Sequence, residues 1–178
     1  MNIAILSRSE SLYSTKSLLK AGGKRDHTME IIDPTYCELI IENGKAVVLY
    51  QDKIVDNLDA IIPRIGASNT YFGSSLVRHF EAMQVFSIVS SDAILQSRDK
   101  WTCFQILAKA NVPLPKTIFG GSFNLEEQLK DFGENPVIIK LLEGTHGHGV
   151  ILAETKCIGY CRNSAYCRSK VFTSRIYF

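Results

Sequence analysis

The segment that decides the fold is Val137-Ile-Ile-Lys-Leu-Leu-Glu-Gly-Thr-His-Gly-His-Gly-Val-Ile-Leu-Ala153. Its pattern predicts a strand that carries Lys140, a glycine-rich loop and a returning strand. Glycine permits positive φ and a close approach of the backbone, so several loop N–H groups can point at one anion. A lysine on the adjoining strand can reach the same charge. We therefore interpret Lys140, Gly144, Gly147 and Gly149 as candidate phosphate-binding residues.

The order of elements separates this segment from two other glycine-rich phosphate loops. The dinucleotide fingerprint and the Walker loop both run from a strand into a helix, whereas here the loop is followed by a second strand. A strand–loop–strand unit is typical of a flap that folds over a nucleotide. The alternative is a tight hairpin whose glycines only satisfy turn geometry, with Lys140 as an exposed strand residue.

Residues 1–96 predict a small α/β domain. Apolar strands alternate with helices, and strands that are apolar throughout are typical of an open parallel sheet covered on both faces. Asn43-Gly44, between two apolar runs, predicts a hairpin. The predicted strands are 2–7, 29–33, 58–63 and 86–89, and helical spacing covers 12–21 and a segment that begins near Thr70.

Two charged residues outside the loop, Lys100 and Arg64, are also candidates for a functional role. Ser97-Arg-Asp-Lys100 predicts a helix start, with Ser97 as the N-cap and Asp99 in the first turn. A lysine at such a position is unfavourable to the helix dipole, which slightly favours a functional role for Lys100, although many such lysines are simply solvated. Arg64 follows a strand end, where it could meet an anionic substrate at the carboxyl edge of a parallel sheet; a surface or salt-bridge role is equally compatible.

Composition excludes several classes of protein. The chain has 178 residues, 46% of them hydrophobic, and a net charge of +2, which fits one domain or two small ones and argues against disorder. So small a charge gives no reason to expect binding to nucleic acid or to a membrane surface. No apolar run approaches the roughly 18 residues of a membrane span, and the first residues lack the basic start of a signal peptide. We expect a cytoplasmic protein.

The last 22 residues, 157–178, differ from the rest. They contain four basic residues and no acid, a charge of +4, which leaves −2 for 1–156. Their apolar residues keep no helical or strand period for long, so we expect disorder, as a shifted reading frame would produce. The strand at 137–142 is then expected to lack sheet partners. The tail's three cysteines lack CxxC spacing, so we predict no metal site.

Four stretches in order carry a resemblance: Ile3-Ala-Ile-Leu-Ser-Arg8, Ile61-Ile-Pro-Arg-Ile-Gly66, Ser97-Arg-Asp-Lys100 and Val137–Thr155. Together they resemble the N-terminal part of RimK-type ATP-grasp α-L-glutamate ligases. That family adds glutamates to the C-terminus of a small-subunit ribosomal protein. The resemblance runs from residue 1 to about 156.

The resemblance implies an α/β fold with an open parallel-sheet pre-ATP-grasp domain at 1–96. A truncated ATP-grasp subdomain follows at 97–156, and 157–178 is a non-homologous tail. Lys140 and Lys100 match the family's nucleotide-binding lysines, and Gly144, Gly147 and Gly149 match its flap. The implied cofactors are ATP and Mg²⁺. The implied partners are L-glutamate and a ribosomal protein acceptor, with no membrane and no direct nucleic-acid binding.

The implied reaction is ligation: ATP phosphorylates a carboxylate, and the amine of glutamate attacks the acyl phosphate to form an amide. The family's hinge strand, magnesium ligands and acceptor-binding arginine have no match in this sequence, so no catalytic residue or metal ligand is assigned. We expect the chain alone to be inactive. The alternative function is a truncated, possibly frameshifted, non-catalytic fragment that binds a nucleotide or a partner weakly.

Overall fold

A computed structural model describes residues 1–120, 132, 136–141, 150–153 and 171–175. The chain divides into two compact units, Met1–Leu95 (unit 1) and Gln96–Phe178 (unit 2). No helix in the described part of the chain is both long enough and apolar enough to cross a bilayer.

Unit 1 is built around a four-stranded, entirely parallel sheet, in which Thr28–Ile32 (β2), Asn2–Leu6 (β1), Ala60–Pro63 (β6) and Phe86–Ser87 (β7) lie side by side in this order. This confirms the predicted α/β class with an open parallel sheet. The elements of unit 1 are β1 Asn2–Leu6, α1 Tyr13–Gly23, β2 Thr28–Ile32, β3 Cys37–Glu42, β4 Lys45–Tyr50, β5 Lys53–Ile54, β6 Ala60–Pro63, α2 Thr70–Ala82 and β7 Phe86–Ser87.

Strand β1 is one of the two inner strands of this sheet and is buried on both faces. Successive side chains of a strand point to opposite faces, and Ala4 and Ile5 are both fully buried. Since parallel crossovers are right-handed, the connections β1–α1–β2 and β6–α2–β7, which run in opposite directions along the sheet, place α1 and α2 on opposite faces. The apolar side of α2, with Leu76 and Phe80 fully buried, belongs to the same core as Ala4.

The predicted hairpin is confirmed as part of a small antiparallel sheet, β3-β4-β5. Asn43 and Gly44 connect β3 to β4 with φ of 50° and 75°. Two consecutive positive φ values are the requirement of a type I′ turn, which is why Asn-Gly stands there.

Unit 2 contains an antiparallel sheet, in which Val150–Ala153 (β10), Val137–Leu141 (β9), Val171–Arg175 (β11) and Thr117–Gly120 (β8) lie side by side in this order. Its elements, after helix α3 Ser91–Arg98, are α4 Lys100–Lys109, β8 Thr117–Gly120, β9 Val137–Leu141, β10 Val150–Ala153 and β11 Val171–Arg175. Strand β9 therefore has a partner on each side, and the expectation that it lacks sheet partners is wrong.

Strand β11 also corrects the expectation of disorder for 171–175. Val-Phe-Thr-Ser-Arg is short, but β-branched and aromatic residues in its first three positions favour an extended backbone. The strand lies between β8 and β9, with Thr173 opposite both Ile118 and Ile139. Five residues are too few to show a periodic pattern in the sequence, but they are enough to form a strand when β8 and β9 supply hydrogen-bonding partners on both sides. The rest of the predicted tail lies outside the described residues.

The pairing of β11 yields a prediction about unit 2. Thr173→Pro removes a ladder N–H from the middle of a strand that is paired on both sides, and proline is poorly tolerated there. We expect unit 2 to lose about 1–3 kcal/mol, the cost of leaving a buried backbone partner unsatisfied. Hydrogen exchange should become faster at the amides of β8 and β9. Thr173→Ala, which keeps the N–H, is the matched control, and equal exchange in both variants would contradict the pairing.

A second prediction concerns Gly73, a buried residue of α2. A β-carbon there would overlap Cγ2 of Ile65, in the loop that follows β6. We expect Gly73→Ala to destabilise unit 1, because overpacking costs about 1–3 kcal/mol whereas removing a helical glycine gains only about 0.5–1. The measurement is the midpoint of urea unfolding, compared between proteins whose dependence of unfolding free energy on urea concentration (the m-value) is the same.

Gly23→Ala, at the end of α1, is the control, because nothing lies within 4 Å of the added carbon. It should leave the midpoint unchanged or raise it. A Gly73→Ala protein as stable as Gly23→Ala would show that α2 does not fix the Ile65 loop.

Candidate functional site

Strand β9 presents two different faces. Val137 and Ile139, on one face, are 4% and 5% exposed, so they belong to the interior of unit 2. Ile138 and Lys140 alternate with them on the opposite face and are only partly buried. The alternation fixes the side of the sheet on which Lys140 lies, because a shift by one residue would bury its ammonium group.

Strand β10 extends the same open face. In the antiparallel register Val150 lies opposite Lys140 and Leu152 lies opposite Ile138, and directly opposite residues share a face. Val150 and Leu152 are 45% and 57% exposed. We call Ile138, Lys140, Val150 and Leu152 the open face. It combines an apolar surface, on which an aromatic base can lie, with one cation that can meet a phosphate.

Lys100 lies in unit 2 at the first position of α4, and the prediction for its helix start needs a correction. The N-cap is Asp99, not Ser97: its carboxylate accepts hydrogen bonds from the backbone N–H groups of Trp101 (2.9 Å) and Thr102 (3.1 Å). Ser97 instead belongs to α3, which the sequence reasoning did not predict as a separate helix. An aspartate with two N–H groups in reach caps better than a serine that is still inside a helix.

The first turn of α4 is attached to the sheet that carries Lys140. The rings of Trp101 and Phe119, which is in β8, lie 5.2 Å apart between centroids. One strand, β11, separates β8 from β9, so these two strands are about 10 Å apart at the usual strand spacing. Lys100 and Lys140 are thus anchored to one sheet. Gly144, Gly147 and Gly149 lie outside the described residues.

The open face contains residues that the sequence reasoning did not single out. The sequence pattern assigns Ile138, Val150 and Leu152 only to strands, and the register of β9 with β10 makes them neighbours of Lys140. The signal was available, since the alternation of Val137 to Lys140 already assigns alternate residues to opposite faces. What the sequence did not reveal is which face is covered.

Metal ligation and thiol chemistry are two further possibilities for the described residues. In that part of the chain, no group of three or more His, Cys, Asp or Glu side chains is placed so that it could hold a metal ion. Burial, with a smaller contribution from the charge of Asp33, raises the pKa of the Cys37 thiol to about 12. That thiol is therefore protonated near neutral pH and is a poor nucleophile.

Comparison with known families agrees with the two units. Residues 1–94 match the family described as the RimK PreATP-grasp domain, and residues 97–158 match the RimK-like ATP-grasp domain. The chain belongs to the RimK family. This confirms the resemblance seen in the four sequence stretches.

Relatives of known sequence include two proteins named probable alpha-L-glutamate ligase. The one from Shewanella loihica is 46% identical over 156 residues, which are 87% of this chain and 52% of that protein. The one from Trichodesmium erythraeum is 47% identical over 156 residues, with the same shares. The chain spans about half the length of the curated relatives it matches.

Solved structures share the fold of this RimK-family chain at low sequence identity. A RimK domain ATP-grasp protein from Sphaerobacter thermophilus has a TM-score of 0.70 at 16% identity and covers all of this chain and 64% of its own. The ATP-grasp ligase PsnB, complexed with a minimal precursor, has a TM-score of 0.73 at 14% identity, and the match covers 99% of this chain and 64% of PsnB. D-alanyl-alanine synthetase A from Vibrio cholerae has a TM-score of 0.68 at 12% identity, and the match covers 100% of this chain and 60% of that protein. The ATP-grasp fold predicted from the resemblance is confirmed.

Proposed function

We propose that this chain carries the phosphate-binding side of an ATP-dependent α-L-glutamate ligase, with 1–96 as the pre-ATP-grasp domain and 97–156 as part of the ATP-grasp domain. The observation that supports this most is the open face, where partly buried Lys140 stands among exposed apolar residues. Membership of the RimK family and the names of the relatives support the class of reaction. The site is cytoplasmic in this proposal.

In this proposal, Lys140 and Lys100 hold phosphate oxygens of ATP. A lysine ammonium acts as a point charge with three donors and does not require a fixed geometry. Ile138, Val150 and Leu152 provide an apolar surface for the base, which lowers the local dielectric and strengthens the contact between Lys140 and phosphate. Gly144, Gly147 and Gly149 add backbone N–H donors from the loop between β9 and β10.

The reaction that such binding serves is the formation of an amide. The γ-phosphoryl group of ATP passes to a carboxylate oxygen of a protein C-terminus, which gives an acyl phosphate and ADP. The amine nitrogen of L-glutamate then attacks the carbonyl carbon, inorganic phosphate leaves, and the nitrogen loses a proton. Lys140 and Lys100 would stabilise the negative charge on the transferred group. The acceptor that the proposal names is a small-subunit ribosomal protein.

Lys140→Ala tests the proposal directly. A contact between a charged donor and phosphate contributes about 1.5–3 kcal/mol, so we expect ATP affinity to fall about ten-fold or more. The affinity for adenosine, which has no phosphate, should fall much less. Titration calorimetry of the full chain with both ligands provides the measurement, with Lys109→Ala as a control that removes an exposed lysine from the end of α4.

Two outcomes would contradict the proposal. One is equal ATP affinity in Lys140→Ala and Lys109→Ala, which would remove Lys140 from the site. The other is an equal loss of affinity for ATP and for adenosine, which would show that the substitution disturbs the fold and does not remove a phosphate contact. An assay of glutamate-dependent ADP release then separates the two functions considered from the sequence: release supports ligation, and binding without release supports the non-catalytic fragment.

A further inference from the structure

The parallel sheet of unit 1 has a point at which its strand connections reverse direction. From β1 the chain moves outward to β2 on one side, and from β6 it moves outward to β7 on the other. A crevice therefore opens between the carboxyl ends of β1 and β6. In open α/β sheets, ligands bind at such a reversal point. The residues that leave these two strands, Ser7–Ser11 and Arg64–Gly66, border this reversal point, and the side chains of Arg8 and Arg64 are exposed there.

Two arginines reach across this crevice in opposite directions. Arg64 directly follows β6, and its Nη2 donates to Oγ of Ser14 in α1 at 3.2 Å. Arg8 leaves β1, and its Nη2 lies 3.5 Å from the position that a β-carbon on Gly66 would occupy. The guanidinium of Arg8 thus lies beside the exit of β6, and the guanidinium of Arg64 lies beside the first turn of α1, which follows the exit of β1. The backbone N–H of Arg64 also donates to the carbonyl of Leu6 at 2.9 Å, which fixes the two exits side by side.

The loop that carries Arg8 is held by its hydroxyl groups. Ser7 and Thr15 are buried, and their hydroxyls lie 3.1 Å apart, which ties the end of β1 to α1. Further along, the hydroxyls of Ser9 and Ser11 are 2.8 Å apart, and the N–H of Ser11 donates to Oγ of Ser9 at 3.2 Å. Because these hydrogen bonds already order the loop, little further conformational entropy of its backbone is lost when a ligand binds to Arg8.

The crevice has a positive electrostatic character. Within the described ranges, neither Arg8 nor Arg64 forms an ion pair, unlike Arg78, which pairs with Asp92 on the surface. Glu10, in the same loop as Arg8, is exposed and is paired with neither arginine. Helix α1 begins at this crevice with no acidic residue in its first turn and no side-chain cap, so its dipole adds to the positive charge.

We propose that unit 1 holds a carboxylate in this crevice, between the guanidinium groups of Arg8 and Arg64. Guanidinium is planar and presents paired N–H donors that match the two oxygens of a carboxylate, or two oxygens of a phosphate. The choice of a carboxylate rests on the proposed function, whose acceptor and amino-acid substrates both carry this group. The proposed site consists of residues of unit 1, whereas the open face consists of residues of unit 2.

The test uses the full chain without ATP, so that it does not depend on nucleotide binding. L-Glutamate, and separately inorganic phosphate, is titrated into the 15N-labelled protein at constant ionic strength. We expect L-glutamate to shift the amide signals of Ser7–Ser11 and Arg64–Gly66. The dissociation constant should rise about ten-fold in Arg8→Gln and in Arg64→Gln, the usual effect of losing one charged hydrogen-bonding partner.

Arg25→Gln is the matched control. It removes the same charge from unit 1 at the opposite edge of the sheet, where Arg25 donates only to the carbonyl of Ala21 in the described part of the chain. The dissociation constant of L-glutamate from Arg25→Gln should stay within about two-fold of its value for the unmodified chain, because long-range charge effects are small at physiological salt. The same spectra report whether each variant is folded.

Three results would overturn the proposal. The first is the absence of shifts in the two exit loops at millimolar L-glutamate. The second is an equal loss of affinity in all three variants, which would indicate non-specific attraction by net charge. The third is tighter binding of phosphate than of L-glutamate at these amides, which would assign the crevice to phosphate. Loss of ATP binding in Lys140→Ala affects none of these readings, so the two proposals can fail separately.

Discussion

The constraint on which the candidate site depends is the alternation of side chains along β9. Val137 and Ile139 must be buried, which places Lys140 on the other side of the sheet. Pairing with β10 and β11 on both edges holds that orientation, because the register cannot slip without burying the lysine. The apolar neighbours of Lys140 on the open face, Val150 and Leu152, follow from the same register.

Unit 1 obeys a comparable constraint through β1. Ala4 and Ile5 are buried on opposite faces, so helices must cover both sides of the sheet, and the connections must then reverse beside β1. That reversal creates the crevice into which Arg8 and Arg64 extend. The two units thus present charged side chains for different reasons: a face left open in one sheet, and a gap between strand exits in the other.

Much of the fold could be predicted because local patterns were strong. The Asn43-Gly44 turn, the start of α2 at Thr70 and the alternating strands and helices all have short-range signals. The N-cap at Asp99 was misassigned because two polar residues competed for one position and only geometry decides between them. Strand β11 was missed since its stability comes from β8 and β9, which are distant in sequence. For the same reason, the sequence predicts Lys140 as a candidate but does not predict its apolar neighbours on the open face.

The most direct test of the account is where ATP binds on the folded chain. A titration of the 15N-labelled protein with ATP, followed by amide NMR, locates the contact without any substitution. The account predicts shifts at Ile138–Lys140 and Val150–Leu152, with the amides of β2 and of the β3–β4 hairpin unchanged. Shifts confined to unit 1, or a saturable calorimetric signal with no change in β9 and β10, would contradict the assignment of the open face as the nucleotide site.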